Sequence, residues 1–207
     1  MKKIICTSDT HGSHWDVNVP DGDIFVFAGD YTAMNSTTEL EDFSAWLNTL
    51  QHEHKIFVPG NHDPIFQTNE SLARESLPED VTCLIHEGCV IDGIKFWGSP
   101  YSLPFCNWAF MYPENELKKL WAEIPKNTDV LITHGPPYDT GDTTHEGIRS
   151  GSVSLTYRVA EIIPILHIFG HIHEGYSITE QVYGTFSANC SRGIPPMKNP
   201  PMTIEYI

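Results

Sequence analysis

Short apolar runs recur along the chain, and five of them lead to glycine beside Asp, His or Asn. Ile4–Ile5–Cys6 passes through Thr7 and Ser8 to Asp9–Thr10–His11–Gly12. Ile24–Phe25–Val26–Phe27–Ala28 ends in Gly29–Asp30, and Lys55–Ile56–Phe57–Val58–Pro59 in Gly60–Asn61–His62–Asp63. Val130–Leu131–Ile132 ends in Thr133–His134–Gly135, and Ile165–Leu166–His167–Ile168–Phe169 in Gly170–His171–Ile172–His173. Apolar runs of this length bounded by turn residues predict strands. Asp9 and His11, two apart on an extended chain, leave the first strand on the same side. Open α/β sheets gather binding groups beyond the carboxyl ends of their strands, where all five clusters fall.

Between the strands predicted at 23–28 and 55–58, helical periodicity runs over 39–50. Thr38 and Glu41 have capping-box spacing there, and Leu40, Phe43, Leu47 and Leu50 share one face. Such a β–α–β unit predicts a parallel strand pair with a right-handed crossover. A short helix is expected near 70–77 and a strand at 82–85. Asp92–Gly93 then signals a hairpin between two β-prone runs. Residues 98–112 lack periodicity and read as a long loop, a satellite core in which Trp108 or Phe110 could line a pocket for a planar base. A helix at 113–124, a strand at 129–132 and a helix at 154–162 stopped by Pro164 follow. The alternating segments 182–188 and 202–206 read as two strands antiparallel to each other, separated by Pro195–Pro196. The whole chain, 1–207, is expected to be one domain.

Composition narrows the partners. Lys and Arg total 12 against 27 Asp and Glu, a formal net charge of -15, with no basic tract. Binding an extended nucleic acid requires many phosphates to be neutralised by basic side chains, so that class is excluded. A small anion is compatible if metal ions supply positive charge locally. No apolar run approaches the roughly 20 residues that cross a bilayer, and the run after Lys3 stops at Thr7. No membrane partner and a cytoplasmic location are expected. The odd number of cysteines, 5, without CxxC spacing, argues for reduced thiols rather than a disulfide framework or thiolate zinc site.

The polar strand ends together supply Asp9, His11, Asp30, Asn61, His134, His171 and His173. That set is too large for one tetrahedral structural zinc. It suits two ions sharing a carboxylate, with Asp30 as the natural bridge, roughly 3.5–4 Å apart and able to clamp a phosphoryl group.

The order Asp9–x–His11, Gly29–Asp30, Gly60–Asn61–His62–Asp63, His134 and Gly170–His171–x–His173 resembles that of the calcineurin-like metallophosphoesterases. Ile132–Thr133–His134–Gly135–Pro136–Pro137, Gly170–His171–Ile172–His173–Glu174–Gly175–Tyr176, Gly98–Ser99–Pro100 and Trp108–Ala109–Phe110 look closer to its small metallophosphoesterase-domain phosphodiesterases. The resemblance implies a four-layer α/β/β/α sandwich of two mixed sheets with outer helices. It implies that Asp9, His11 and His173 hold one ion and Asn61, His134 and His171 the other, with Asp30 between them. Mn2+ is favoured, and Fe, Zn2+ or Mg2+ would also serve. His62 would sit beside the metals without binding them. Some relatives carry glycine at the position of His171 and are feeble catalysts; His171 is present here.

Charge supports these roles. Two divalent ions, two carboxylates and a bridging hydroxide leave a shell of about +1, attractive to phosphate. Hydroxide attacks phosphorus, and a donor such as His62 protonates the leaving alkoxide. Asp63 is a candidate to orient His62, although an acid beside a turn is ordinarily solvated. His52 and His54 read as surface residues and His167 as a buried structural histidine. His14 and His145 are candidates to touch substrate, and Arg149 and Arg158 to contact phosphate. The function expected is hydrolysis of small, including cyclic, nucleotide phosphodiesters. The alternatives are a phosphomonoesterase or protein phosphatase, and a low-turnover nucleotide-binding regulatory module.

Overall fold

The computed structural model describes residues 2–180, 184–194 and 196–206. Two sheets lie face to face between two helical layers. The first contains β1 (Lys2–Thr7), β2 (Ile24–Phe27), β3 (His54–Phe57), β4 (Val81–Cys83) and β11 (Met202–Tyr206), in the order β11-β1-β2-β3-β4. The second contains β5 (Glu87–Ile91), β6 (Ile94–Ser99), β7 (Val130–Thr133), β8 (Leu166–Phe169), β9 (Ser177–Glu180) and β10 (Phe186–Asn189), in the order β5-β6-β7-β8-β10-β9. Both sheets are mixed. β1, β2, β3 and β4 run parallel and so do β6, β7, β8 and β10, while β11, β5 and β9 run antiparallel to their neighbours.

Burial on both faces explains why the strands read as continuous apolar runs. Ile24, Val26, Ile56 and Val58 face the second sheet, where they meet Phe96, Val130, Ile132 and Ile168 in one core. Phe25, Phe27 and Phe57 face outward into a core with Leu40, Phe43, Trp46 and Leu47 of α1 (Thr37–Thr49). The short helices α2 (Ile65–Thr68) and α3 (Glu70–Glu75) add Phe66 and Ala73 to that layer. On the far side, Leu131 packs against Leu117 and Trp121 of α4 (Glu114–Glu123) and Leu155 and Val159 of α5 (Val153–Ile162). The α/β/β/α sandwich is therefore the architecture.

Several local expectations hold, and others need correction. Asp92 and Gly93 take φ of 52° and 83°, the consecutive left-handed pair of a two-residue hairpin turn joining β5 and β6. The capping box of α1 is Ser36 with Glu39, two residues earlier than read from the sequence. Extended backbone at Ser36 presents its Oγ to the Glu39 N–H, and the Glu39 carboxylate reaches back to the Ser36 N–H. α2 was not anticipated. The last two strands do not pair with each other. β10 lies between β8 and β9, whereas β11 closes the first sheet against β1. Val182 and Tyr183 of the expected strand, and Pro195, lie outside the described residues. Among the described residues, no helix is long and apolar enough to cross a membrane.

His52, expected at the surface, is buried with its ring Nε2 3.1 Å from the Pro20 carbonyl oxygen, and His54 is half-buried near Asp92. His14 is likewise a core residue, held 2.9 Å from Asp42 and packed on Phe43 and Trp46. His167 in β8 meets Thr133 Oγ1 at 2.8 Å, and burial pushes its pKa down to about 3.

Because histidine in the unfolded chain titrates near 6.5, the His167 term is fully present above that pH and lost as pH falls toward 3. Its contribution to the slope approaches about 1.4 kcal/mol per pH unit. His167→Gln, which keeps a polar group for Thr133, should flatten the loss of stability between pH 6.5 and 5. Urea unfolding of the metal-free protein across that range checks this; an unchanged slope would exclude His167 as a source of acid lability.

Candidate metal centre

The centre forms where the carboxyl ends of five parallel strands converge. β1 delivers Asp9 and His11, β2 Asp30, β3 Asn61 and His62, β7 His134, and β8 His171 and His173. Strands from both sheets thus contribute, and the chain must turn sharply as it leaves each one. Asp9, His11, Asp30 and His171 all hold left-handed backbone, with φ of 53°, 42°, 61° and 67°. L-residues adopt that region at a cost, and such strain concentrates at functional sites. Neighbouring loops hold the turns: the Asp9 N–H donates to Gly29 O at 2.8 Å and the His11 N–H to Asp30 O at 3.2 Å. Glycine in the motifs leaves room for ligands. A Cβ on Gly60 would collide with Asp30 Oδ1, and one on Gly170 with Ser8 Oγ and Asp9 Oδ2.

Three groups of ligand atoms lie within 4.8 Å of one another: Asp9–His11–His173, Asp30–His134–His171 and His11–Asp30–His62. His11 Nε2 stands 3.3 Å from His173 Nε2, which is 3.4 Å from Asp9 Oδ1. On the other side, Asp30 Oδ2 lies 3.3 Å from His134 Nε2, which is 2.8 Å from Asn61 Oδ1. Two ligands bound at about 2.1 Å to a shared ion, at right to tetrahedral angles, stand roughly 3.0–3.4 Å apart, close to these spacings. The imidazole tautomers also fit. His134 Nδ1 faces Ala28 O at 2.8 Å and His11 Nδ1 faces Thr32 O at 3.1 Å, so each Nδ1 carries a proton and Nε2 is the nitrogen turned inward, where on His134 an ion would displace the second proton that Asp30 favours. The described donor set therefore suits two divalent ions.

Asp30 faces both groups through one of its two oxygens. Its Oδ1 accepts the His62 N–H at 2.7 Å. Oδ2 faces both sides, 3.3 Å from His134 and 4.0 Å from His11. Burial opposes ionisation of Asp30, but the His134 charge and its hydrogen bond outweigh it and lower the pKa to about 2. Burial likewise opposes charge on His134, yet Asp30 and Asp9 raise it to about 9. Asp9 is held low against its burial by His173, whose own pKa rises. His171 has no comparable acid partner, so burial and the neighbouring His134 press it down to about 4.

Asp63 is neither solvated nor the orienter of His62. Fully buried, it accepts the N–H groups of Asp30 and Gly60 at 2.8 Å and of Thr32 at 3.3 Å, pinning the Asp30 turn to the β3 loop. Burial and the adjacent Asp30 push its pKa well up, against the pull of those donors. The His62 ring instead lies edge-on to His11, centroids 4.8 Å apart, and 4.3 Å from Trp108. Thr32 adds a hydroxyl bond to the His62 carbonyl. The sequence points to Asp63 for a different role and gives no sign of a second support, Ser8, whose Oγ donates to Asp9 Oδ2. Ser8 adjoins a ligand in sequence; nothing distinguished it from a strand-end hydroxyl.

The other candidates part company. Phe110 is 3% exposed and belongs to the core, whereas Trp108 is 41% exposed. Arg149 pairs with Asp139 and Asp142, at 2.6 and 2.9 Å. Arg158 pairs with Glu161 and donates to the Ile124 carbonyl, bracing α5 against the end of α4. His145 is exposed and faces Glu174, next to His173, at 3.4 Å.

A family model described as calcineurin-like phosphoesterase matches residues 2–175. The human metallophosphoesterase domain-containing protein 1 is 32% identical over 231 residues, covering 98% of this chain and 70% of that protein. Probable rhamnogalacturonate lyase C of Emericella nidulans is 39% identical over 186 residues, 85% of this chain, but this chain spans only 17% of its length. In fold, the crystal structure of TT1561 of Thermus thermophilus is similar with a TM-score of 0.62 and 17% identity, covering 91% of this chain and 88% of that one.

The left-handed backbone at His171 has a measurable consequence. His171→Gly and His171→Ala both remove the imidazole, but only glycine relieves the φ of 67°. In chelator, the glycine variant should be the more stable by about 1 kcal/mol, while both bind less metal than the wild type. Denaturant unfolding with elemental analysis tests this; equal stabilities would remove backbone strain from the account.

Proposed function

The chain belongs to the calcineurin-like phosphoesterase family, and from that premise we propose that it hydrolyses small phosphodiesters, nucleotides and cyclic nucleotides among them. The observation that carries this reading is the buried Asp30 Oδ2 turned toward both His11 and His134, a single oxygen shared by two ligand groups. In this reading Asp9, His11 and His173 hold one divalent ion, Asn61, His134 and His171 the other, and Asp30 both. Imidazole, carboxylate and amide donors without a thiolate suit Mn2+, with Fe, Zn2+ or Mg2+ as alternatives. Such a pair, when bound, supplies an activated water and positive charge for the phosphoryl oxygens.

The chain's own residues complete the chemistry. Asp9 and Asp30 are kept ionised by their histidine partners, which hold protons in return, so a cation entering the centre displaces a proton from His134 and binds more tightly as pH rises. Local positive charge then draws one phosphate into a protein whose net charge of -15 repels a polyanion lying across its surface. The His62 ring has no hydrogen-bond partner among the described residues, and burial lowers its pKa; as the proton donor to the departing ester oxygen it acts from its protonated form, so its contribution falls as pH rises. β11, the last strand, pairs with β1, the first, which supports residues 1–207 acting as one domain.

Two variants and a substrate panel test the reading. Asp30→Asn, tolerated in left-handed backbone, should lose bound metal and nearly all turnover. His62→Ala should keep its metal and lose about 10²–10⁴-fold in kcat with an alkoxide leaving group, and far less with nitrophenolate. Equal losses with both leaving groups would remove the acid role. In kcat/KM, cyclic mononucleotides and bis-nitrophenyl phosphate should exceed nucleoside monophosphates, a phosphopeptide and single-stranded DNA. Exclusive monoester hydrolysis would instead make the protein a phosphatase, and binding without turnover a regulatory module.

A further inference from the structure

The His62 ring separates the ligand groups from two aromatic side chains that no part of the proposed chemistry uses. On one side it meets His11 at 4.8 Å; on the other it meets Trp108 at 4.3 Å, and Phe105 stands edge-on to Trp108 at 5.9 Å. Four rings therefore lead outward from the candidate metal centre. The outer two remain open to solvent, Trp108 41% exposed and Phe105 78%. Exposed aromatic rings side by side leave apolar surface in water that a ligand's own ring can cover.

The loop carrying them is firmly moored at its base. The Ala109 N–H donates to Asn61 O at 3.2 Å, the Phe110 N–H to Gln67 Oε1 at 3.2 Å, and the Ser102 N–H to Phe110 O at 3.1 Å. Phe110 itself is buried in left-handed backbone, φ 56°, an unusual conformation for a bulky residue. That turn anchors Phe110 inward while Trp108 and Phe105 stay outside. The indole is thus tied through one backbone bond to Asn61, a candidate ligand.

The geometry points to Phe105 and Trp108 as a binding subsite for the planar aromatic group of a phosphate ester or phosphonate, an aryl ring or a nucleobase. This rests on the phosphoesterase reading in placing the phosphoryl group among Asp9, His11 and Asp30. A substituent on that group must extend past one imidazole ring to reach the indole. A methyl group has no flat face to offer the indole, whereas a phenyl or nucleoside does. Stacking is tolerant of ring identity, so the shelf selects aromatic over aliphatic esters rather than one base over another.

Calorimetric titration of the Mn2+-loaded protein tests the subsite with two matched pairs: phenylphosphonate against methylphosphonate, and a nucleoside 5′-monophosphate against ribose 5-phosphate. In the wild type the aromatic member of each pair should bind about tenfold more tightly. The ratio should fall in Trp108→Ala and in Phe105→Ala and approach one in the double variant. Because it compares ligands within one protein, it is insensitive to a general loss of binding through His62. A ratio near one in the wild type, or one that survives the double substitution, would overturn the subsite. If no ester is hydrolysed but the ratio still depends on residues 105 and 108, the enzymatic reading fails and the subsite stands. Hydrolysis without aromatic preference gives the reverse, and absence of binding by every ligand defeats both.

Discussion

A carboxylate shut away from water must be answered by its surroundings, and the arrangement around Asp30 is that answer. Its Oδ1 takes the His62 N–H, its Oδ2 faces two imidazoles, and its own N–H goes to the equally buried Asp63. Through these contacts the loops after β1, β2, β3 and β7 are referred to a single side chain. Leaving such a charge uncompensated would cost several kcal/mol, so the loops cannot relax independently. The strained turns at Asp9, His11 and His171 persist for the same reason: each is over-determined by partners on other strands.

The sandwich makes this possible by bringing two sets of parallel strands to one edge. The sheets share a core in which Val26 and Ile56 meet Val130 and Ile168, so their carboxyl ends are fixed relative to each other. Helices on the outer faces cover Phe25, Phe27 and Leu131 and leave the strand ends free for ligands. Imidazoles from the second sheet can therefore meet carboxylates from the first without either side chain leaving its own strand end.

Much of this was legible in the sequence because burial on both faces writes a strand as an unbroken apolar run, with the ligands following it. What it could not convey was choice among equivalent local options. Thr38 with Glu41 and Ser36 with Glu39 both satisfy capping-box spacing, and only the extended backbone at Ser36 decides between them. The alternation in 202–206 marks the two faces of a strand but names no neighbour, so its pairing with β1 was hidden. Asp63 looks like a solvated turn acid until the neighbouring loop turns three N–H groups toward it. In the aperiodic loop, nothing but the left-handed turn at Phe110 separates that core ring from the exposed Trp108.

The pairing of β11 with β1 also bears on how the protein is made. Lys2 lies opposite Tyr206, and the Ser8 N–H, adjoining Asp9, reaches the carbonyl of Cys190. While the chain emerges from the ribosome, the first strand exists long before its edge partner, and Asp9 and His11 precede His171 and His173 by most of synthesis. The earliest ligands to be translated must wait with one flank open. Beside Asp9 that flank is covered by residues 190–192, whose backbone bonds Ser8, and along β1 by residues 202–206, so the surroundings of the first motif are supplied by segments translated nearly two hundred residues later.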